Sequence, residues 1–190
     1  MTTKEIIKKA IDRSLVQPEY PHRGGMTASG QSFTPLIYNL TKIMEPKLVF
    51  EWGPGQSTHA FLLGYQNVNI ISYEDDKQWI IKYKEQLKSV DPEYLKRVMF
   101  FHIEEVHEYI EPGYDDDLFD IVLVDGSVKE EINRSKCFKA AERMTRPGGI
   151  VLVHDAQSSA CWQEPEVKIN FYGNYQDPLQ PIELVAIYYK

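Results

Sequence analysis

The sequence predicts an α/β fold, a three-layer sandwich with helices on both faces of a mostly parallel sheet. Three observations lead there. From residue 47 onward short apolar runs alternate with amphipathic stretches, the order that βαβ crossovers require. The runs are continuously apolar rather than alternating, as strands are when both faces of a sheet are covered. Their downstream ends carry Glu51, Glu74, Asp125 and His154-Asp155. In open α/β sheets that is the end where ligands bind, and a purely structural loop requires no such groups.

The elements follow in order. Residues 3–16 read as a helix with Ile7, Ala10, Ile11 and Leu15 on one face. Residues 17–32 hold Pro18, Pro21, Gly24, Gly25 and Gly30 and read as a loop, long enough to suggest a lid or binding segment. A helix should start with Thr34 as N-cap and Pro35 at the first position, and end before Pro46. Strands are expected at 48–50, 68–73, 98–103, 119–124 and 150–153, and two more near 167–172 and 183–189. Helices are expected at 57–65, at 76–89 with Trp79, Ile80, Tyr83 and Leu87 on one face, and at 129–144, the last closed by Arg146-Pro147-Gly148-Gly149. The acidic stretch 104–117 reads as a solvated face. Cys161-Trp162-Gln163-Glu164-Pro165 leaves room only for a degenerate helix before the sixth strand.

Length and composition narrow the function classes. A chain of 190 residues, 43% hydrophobic and 26% charged, can bury one core and reads as a single domain: N-terminal helices and loop over 1–46, a core over 47–155, closing strands over 156–190. No window is apolar enough to span a membrane. A formal charge of −7, from 21 basic and 28 acidic residues, argues against nucleic acid as a partner. Cys137 and Cys161 form neither a disulfide framework nor a zinc knuckle, and no secretory signal is visible, so a cytoplasmic location is expected. Twelve tyrosines and eight phenylalanines leave room for a homo-oligomer interface.

Chemistry concentrates first in Glu51-Trp52-Gly53-Pro54-Gly55-Gln56-Ser57-Thr58. Gly53 and Gly55 allow a tight turn and close approach of a ligand. Ser57 opens the helix whose N-terminal N–H groups lie beyond them. Glu74 follows Gly55 by 19 residues, the distance at which a carboxylate reaches the two hydroxyls of a ribose. Together they indicate a nucleoside-containing cofactor. The third glycine of a nicotinamide motif is Thr58 here, and Glu51 would repel a pyrophosphate. A carboxylate there suits the sulfonium and ammonium charges of S-adenosyl-L-methionine.

These segments resemble the class I S-adenosylmethionine-dependent methyltransferases. Residues 48–55 resemble the first motif of that family and Tyr73-Glu74-Asp75 the acidic second. Residues 119–126, ending in Asp125-Gly126, resemble the fourth-strand motif, and Arg146-Pro147-Gly148-Gly149-Ile150-Val151 the turn and strand that follow. The likeness covers roughly residues 47–155 and implies a Rossmann-like, seven-stranded sheet whose last strand is antiparallel. It implies that Gly53 and Gly55 pack against the amino-acid end of the cofactor, with Glu51 beneath and Glu74 on the ribose. Asp75 or Trp79 would border the adenine, although a tryptophan on this helix face also reads as core. Glu104, with Glu105, would flank the adenine, and Asp125 would lie by the methionine moiety and the acceptor.

Adjacent parallel strands lie ~4.8 Å apart, so Asp125 and Asp155 can converge, with His154 between them. That suits a divalent cation such as Mg²⁺, as in some O-methyltransferases of this class. The catechol type, however, follows its second aspartate with asparagine, where this chain has Ala156. Without a metal, His154 or Asp155 would serve as general base for a substrate hydroxyl. The pattern is also similar to sugar-directed O-methyltransferases of the glucuronoxylan type, with Arg134 near their arginine. His22 and Arg23 could meet an anionic substrate. The paired prolines and aromatic of the amino-directed DNA enzymes are missing after Asp125. The expected activity is methyl transfer to an oxygen of a small molecule or carbohydrate. The alternatives are an aminopropyltransferase of the polyamine-synthase kind, whose glycine-rich first motif this chain lacks, and a non-catalytic nucleotide-binding module.

Overall fold

The structure, a computed structural model, describes residues 1–16, 33–126, 134–156, 169–176 and 184–190. The expected lid at 17–32 with His22 and Arg23, the start of the helix at 129–133, and the degenerate helix with Cys161 lie outside the described residues.

Two helices, α1 (Thr3–Val16) and α2 (Thr34–Met44), precede an alternating unit: β1 (Leu48–Trp52), α3 (Gln56–Gly64), β2 (Asn69–Glu74), α4 (Lys77–Val90), a 3-10 turn (Pro92–Lys96), β3 (Val98–His102), α5 (Val106–Ile110), β4 (Phe119–Val124), α6 (Arg134–Met144) and β5 (Thr145–Val153). β6 (Asn170–Gln176) and β7 (Leu184–Tyr189) close the chain. One seven-stranded sheet has the order β3-β2-β1-β4-β5-β7-β6. The first five strands run parallel, and β7 is antiparallel to both β5 and β6. The order reverses between β1 and β4, so the crevice of an open α/β sheet falls at the ends of those two strands.

The two-residue repeat of a strand sorts its apolar residues onto two covered faces. Val49, Ile70, Ile121, Leu123, Ile150 and Leu152 pack with side chains from α1 to α4. Phe50, Ile71, Val122, Val124, Val151 and Val153 pack with Tyr109 of α5 and Phe138 of α6. β4 is buried along its whole length.

Several expectations shift. α2 begins at Thr34 itself, with the fully buried Phe33 in the cap position, so Pro35 is the second helical residue, where its missing N–H still costs nothing. In α1, Leu15 is exposed and Ser14 takes the inner position, donating to the Ala10 carbonyl and accepting from Asn39 of α2. The turn Arg146–Gly149 is the irregular start of β5, stitched to the last residue by Gly148 N–H to Lys190 C=O at 2.8 Å. The acidic stretch is not wholly solvated. It contains α5 with Tyr109 buried, and Arg143 binds both Glu111 and Asp116 at 2.9 Å.

Candidate active site

The turn after β1 is held from three sides. Gly53 takes φ +83°, a left-handed conformation that disfavours side chains, and its N–H donates to the Tyr73 carbonyl at 2.9 Å. A Cβ at Gly53 would come within 2.7 Å of the Asp125 carbonyl, and one at Gly126 would strike the Tyr109 hydroxyl. These two glycines therefore let the β1 and β4 loops touch at the switch point. Gly55 differs: a Cβ there would meet nothing within 4 Å. Among the described residues no neighbour demands glycine at 55, and the open space beside it leaves backbone for a ligand to approach.

Two aromatics of α4 brace the same turn. The Trp79 indole N–H donates to the Pro54 carbonyl at 2.6 Å, and the Tyr83 hydroxyl donates to the Gly55 carbonyl, the two rings stacked. Trp79 thus supports the turn from the helix side. Sequence reasoning placed it in the core or at an adenine, and the i, i+4 spacing of Trp79 and Tyr83 was the available signal.

Glu51 is fully buried beneath the turn. Thr58 donates to one of its oxygens at 2.6 Å and Ser57 to the other at 3.2 Å, while the Gly55 N–H donates to the Thr58 hydroxyl at 2.9 Å. Burial pushes the Glu51 carboxyl up to about 8, against the lowering effect of these donors. Near neutrality Glu51 therefore holds a proton. Its visible work is to tie the first turn of α3 to β1, rather than to present a bare charge. Thr58, read in the sequence only as a missing third glycine, is the link between Glu51 and the turn; its position three residues after Gly55 matches a helix-capping spacing.

β2 ends beside this turn, because Trp52 pairs with Tyr73 in the sheet register. Glu74 is largely buried and accepts from the Asp76 N–H at 2.9 Å. Burial, joined by the neighbouring Asp75, raises its carboxyl to about 7. Asp75 is half-buried next to it. Glu104 stands apart: it follows β3, is well exposed, and its carboxylate lies 3.5 Å from His102.

Beyond β4 and β5, His154 Nδ1 lies 2.7 Å from Asp125 Oδ1 and 3.7 Å from Asp155 Oδ2. The imidazole is buried and packs on Phe33 at 4.1 Å between ring centres. The backbone N–H of His154 donates to the Val124 carbonyl at 3.0 Å, which fixes β5's end against β4's. Asp155 takes φ +50°, a left-handed conformation that aspartate tolerates better than most residues. The imidazole sits between the two carboxylates expected to gather a divalent cation. Among the described residues no three His, Cys, Asp or Glu side chains converge as a metal set. The described residues do not fit a metal there. They form an Asp–His pair, with Asp125 placed to accept a proton from Nδ1. Arg134 is the first residue of α6.

The structure thus gathers Glu51, Gly53, Gly55, Ser57, Glu74 and Asp75 around one turn. It joins Asp125, His154 and Asp155 at the adjacent ends of β4 and β5, beside the switch point, and leaves Glu104 at the periphery. Phe33, against the imidazole, carried no sequence signal. Among the described residues, no helix is long and apolar enough to cross a membrane.

No family model matches the sequence, and no curated protein sequence matches it. Solved structures do. A methyltransferase from Geobacter sulfurreducens superposes with TM-score 0.62 at 15% identity, over 97% of this chain and 90% of that one. The O-methyltransferase TomG from Streptomyces achromogenes, in complex with SAM, gives 0.61 at 15% identity over 98% and 90%. The SAH-bound Podospora anserina methyltransferase PaMTH1 gives 0.60 at 15% identity over 83% and 77%. The chain has the class I methyltransferase fold.

Proposed function

We propose that this protein is an S-adenosylmethionine-dependent methyltransferase, a single cytoplasmic domain that methylates an oxygen of a small molecule or carbohydrate. One observation carries the reading: a glycine turn with open space at Gly55 among the described residues, joined through Gly53 N–H to the Tyr73 carbonyl of β2, the strand that ends in Glu74. The cofactor, when bound, supplies an electrophilic methyl on its sulfonium. Glu74 accepts hydrogen bonds from the ribose hydroxyls, and Asp75 extends that acidic edge. Gly53 and Gly55 let backbone approach the amino-acid end, while Glu51, Ser57 and Thr58 hold the turn in shape. His154, oriented by Asp125, takes the proton of the acceptor hydroxyl through Nε2, and Asp125 stabilises the imidazolium that results. Asp155 adds negative charge beside the same ring.

Isothermal titration tests the cofactor assignment. S-adenosylmethionine and S-adenosylhomocysteine are expected to bind and NAD⁺ is not, and Glu74→Ala should weaken both sulfur nucleosides. Heat from NAD⁺ alone, or from none of the three, would refute it. Product mass separates methyl transfer from aminopropyl transfer.

A further inference from the structure

The sheet ends on two unlike edges. β6 is irregular: its register with β7 shifts between Phe171 and Gly173, and Gly173 takes φ +155°. Such bulges obstruct the addition of another strand. β3, Val-Met-Phe-Phe-His, has none of these defences. It contains no proline and no Lys, Arg, Asp or Glu, its register with β2 is unbroken, and no strand of the described residues lies beyond it.

The backbone of β3 can be assigned by direction. The Arg97 carbonyl accepts from Ile70 N–H at 2.8 Å, and the Ile103 N–H donates to the Glu74 carbonyl at 2.9 Å. Odd-numbered residues therefore turn their hydrogen-bonding groups toward β2. By the two-residue repeat, Val98, Phe100 and His102 turn theirs to the outer edge. Met99 and Phe101, two apart on one face of the sheet, are 53% and 39% exposed.

We propose that this edge is a homodimer interface, in which β3 of a second copy pairs antiparallel about a two-fold axis through Phe100. The inference stands independently of the methyltransferase reading. Phe100 then exchanges both of its outer hydrogen bonds with Phe100 of the second copy, and Val98 lies opposite His102. Met99 faces Phe101 of the second copy in the closely spaced, non-hydrogen-bonded position, a thioether against an aromatic ring, and the contact occurs twice. Charge selects both occupant and direction. The strand is flanked by Lys96 before it and Glu104 after it, with side chains 71% and 78% exposed. Antiparallel self-pairing brings the end of β3 that Lys96 precedes beside the end that Glu104 follows in the other copy, whereas parallel pairing would bring like charge beside like. Their present partners, Glu93 at 2.8 Å and His102 at 3.5 Å, are solvent-side contacts that can be shared. An isologous surface of this kind closes as a dimer and leaves no free β3 edge. It also lies away from the β4–β5 end that carries His154.

Sedimentation equilibrium of the full chain tests the interface, at about 50 μM to cover modest affinities. The expected mass is twice the 22.1 kDa of the chain. Met99→Lys should yield monomer with an unchanged circular dichroism spectrum. Lys96→Glu and Glu104→Lys should each weaken the dimer about 5-fold or more, as an exposed pair turned repulsive does, and the double reversal should restore it. Both charge positions are solvated, so these variants give an answer even if Met99→Lys fails to fold. A monomeric wild type, or a dimer indifferent to both single reversals, overturns the proposal.

Discussion

The two ends of the parallel strands treat acidic residues in opposite ways. At the N-terminal end, carboxylates meet donors. Asp120 accepts from the Lys47 and Leu48 N–H groups at 2.7 and 2.9 Å and pairs with Arg146, and Asp117 receives the Lys190 amine at 2.6 Å. At the C-terminal end, Glu51 and Glu74 are buried and meet no Lys or Arg among the described residues, and their carboxyls are held up to about 8 and about 7. One end joins strands and contributes stability. The other keeps carboxyls where burial makes their ionised forms costly.

Four substitutions can break or sharpen this contrast. The largest effect is expected at the pair beyond β4 and β5. His154→Asn should lower kcat of the folded protein about 10³-fold, the loss of a general base, while cofactor affinity hardly moves. A variant that retains full kcat would remove His154 from the chemistry. Next comes the opposite end. Asp120→Ala should cost about 3 kcal/mol of stability in urea denaturation, because two backbone N–H groups and Arg146 lose their acceptor, with cofactor affinity of the folded fraction intact. Third, Glu74→Ala should weaken S-adenosylmethionine by about 2 kcal/mol, roughly 30-fold, without loss of thermal stability. A fall in melting temperature instead would class Glu74 with Asp120.

The smallest effect concerns Glu51. Its folded carboxyl titrates near 8, against an ordinary value of 4.5. Between those values folded Glu51 binds more protons than unfolded Glu51, so its own contribution to stability is fully present below about pH 4.5 and declines as pH rises toward 8. Glu51→Gln keeps a neutral acceptor for Ser57 and Thr58 and lacks this titration. Relative to wild type it should gain on the order of 1 kcal/mol between pH 5.5 and 6.5, read from urea midpoints. Parallel pH dependence in the two proteins would show that Glu51 is ionised when folded.

Much of this was legible in the chain. The alternation of strand and helix, the span of β4, the turn at Gly53 after β1, and Asp125 beside His154 all follow from local patterns. Strand periodicity, glycine placement and acidic strand ends are properties of a few consecutive residues, and the sheet preserves them. The alternation alone predicted a mostly parallel sheet with helices on both faces. Contacts between distant residues were decided only on folding. Burial made Glu51 a protonated tie for α3. Trp79 turned to brace Pro54, 25 positions away, and Tyr109 filled the space that excludes a side chain at Gly126. The imidazole came to lie between the carboxylates of Asp125 and Asp155. Periodicity states which face a residue occupies. Its protonation, its partner and the space left beside it depend on what the rest of the chain brings to that face.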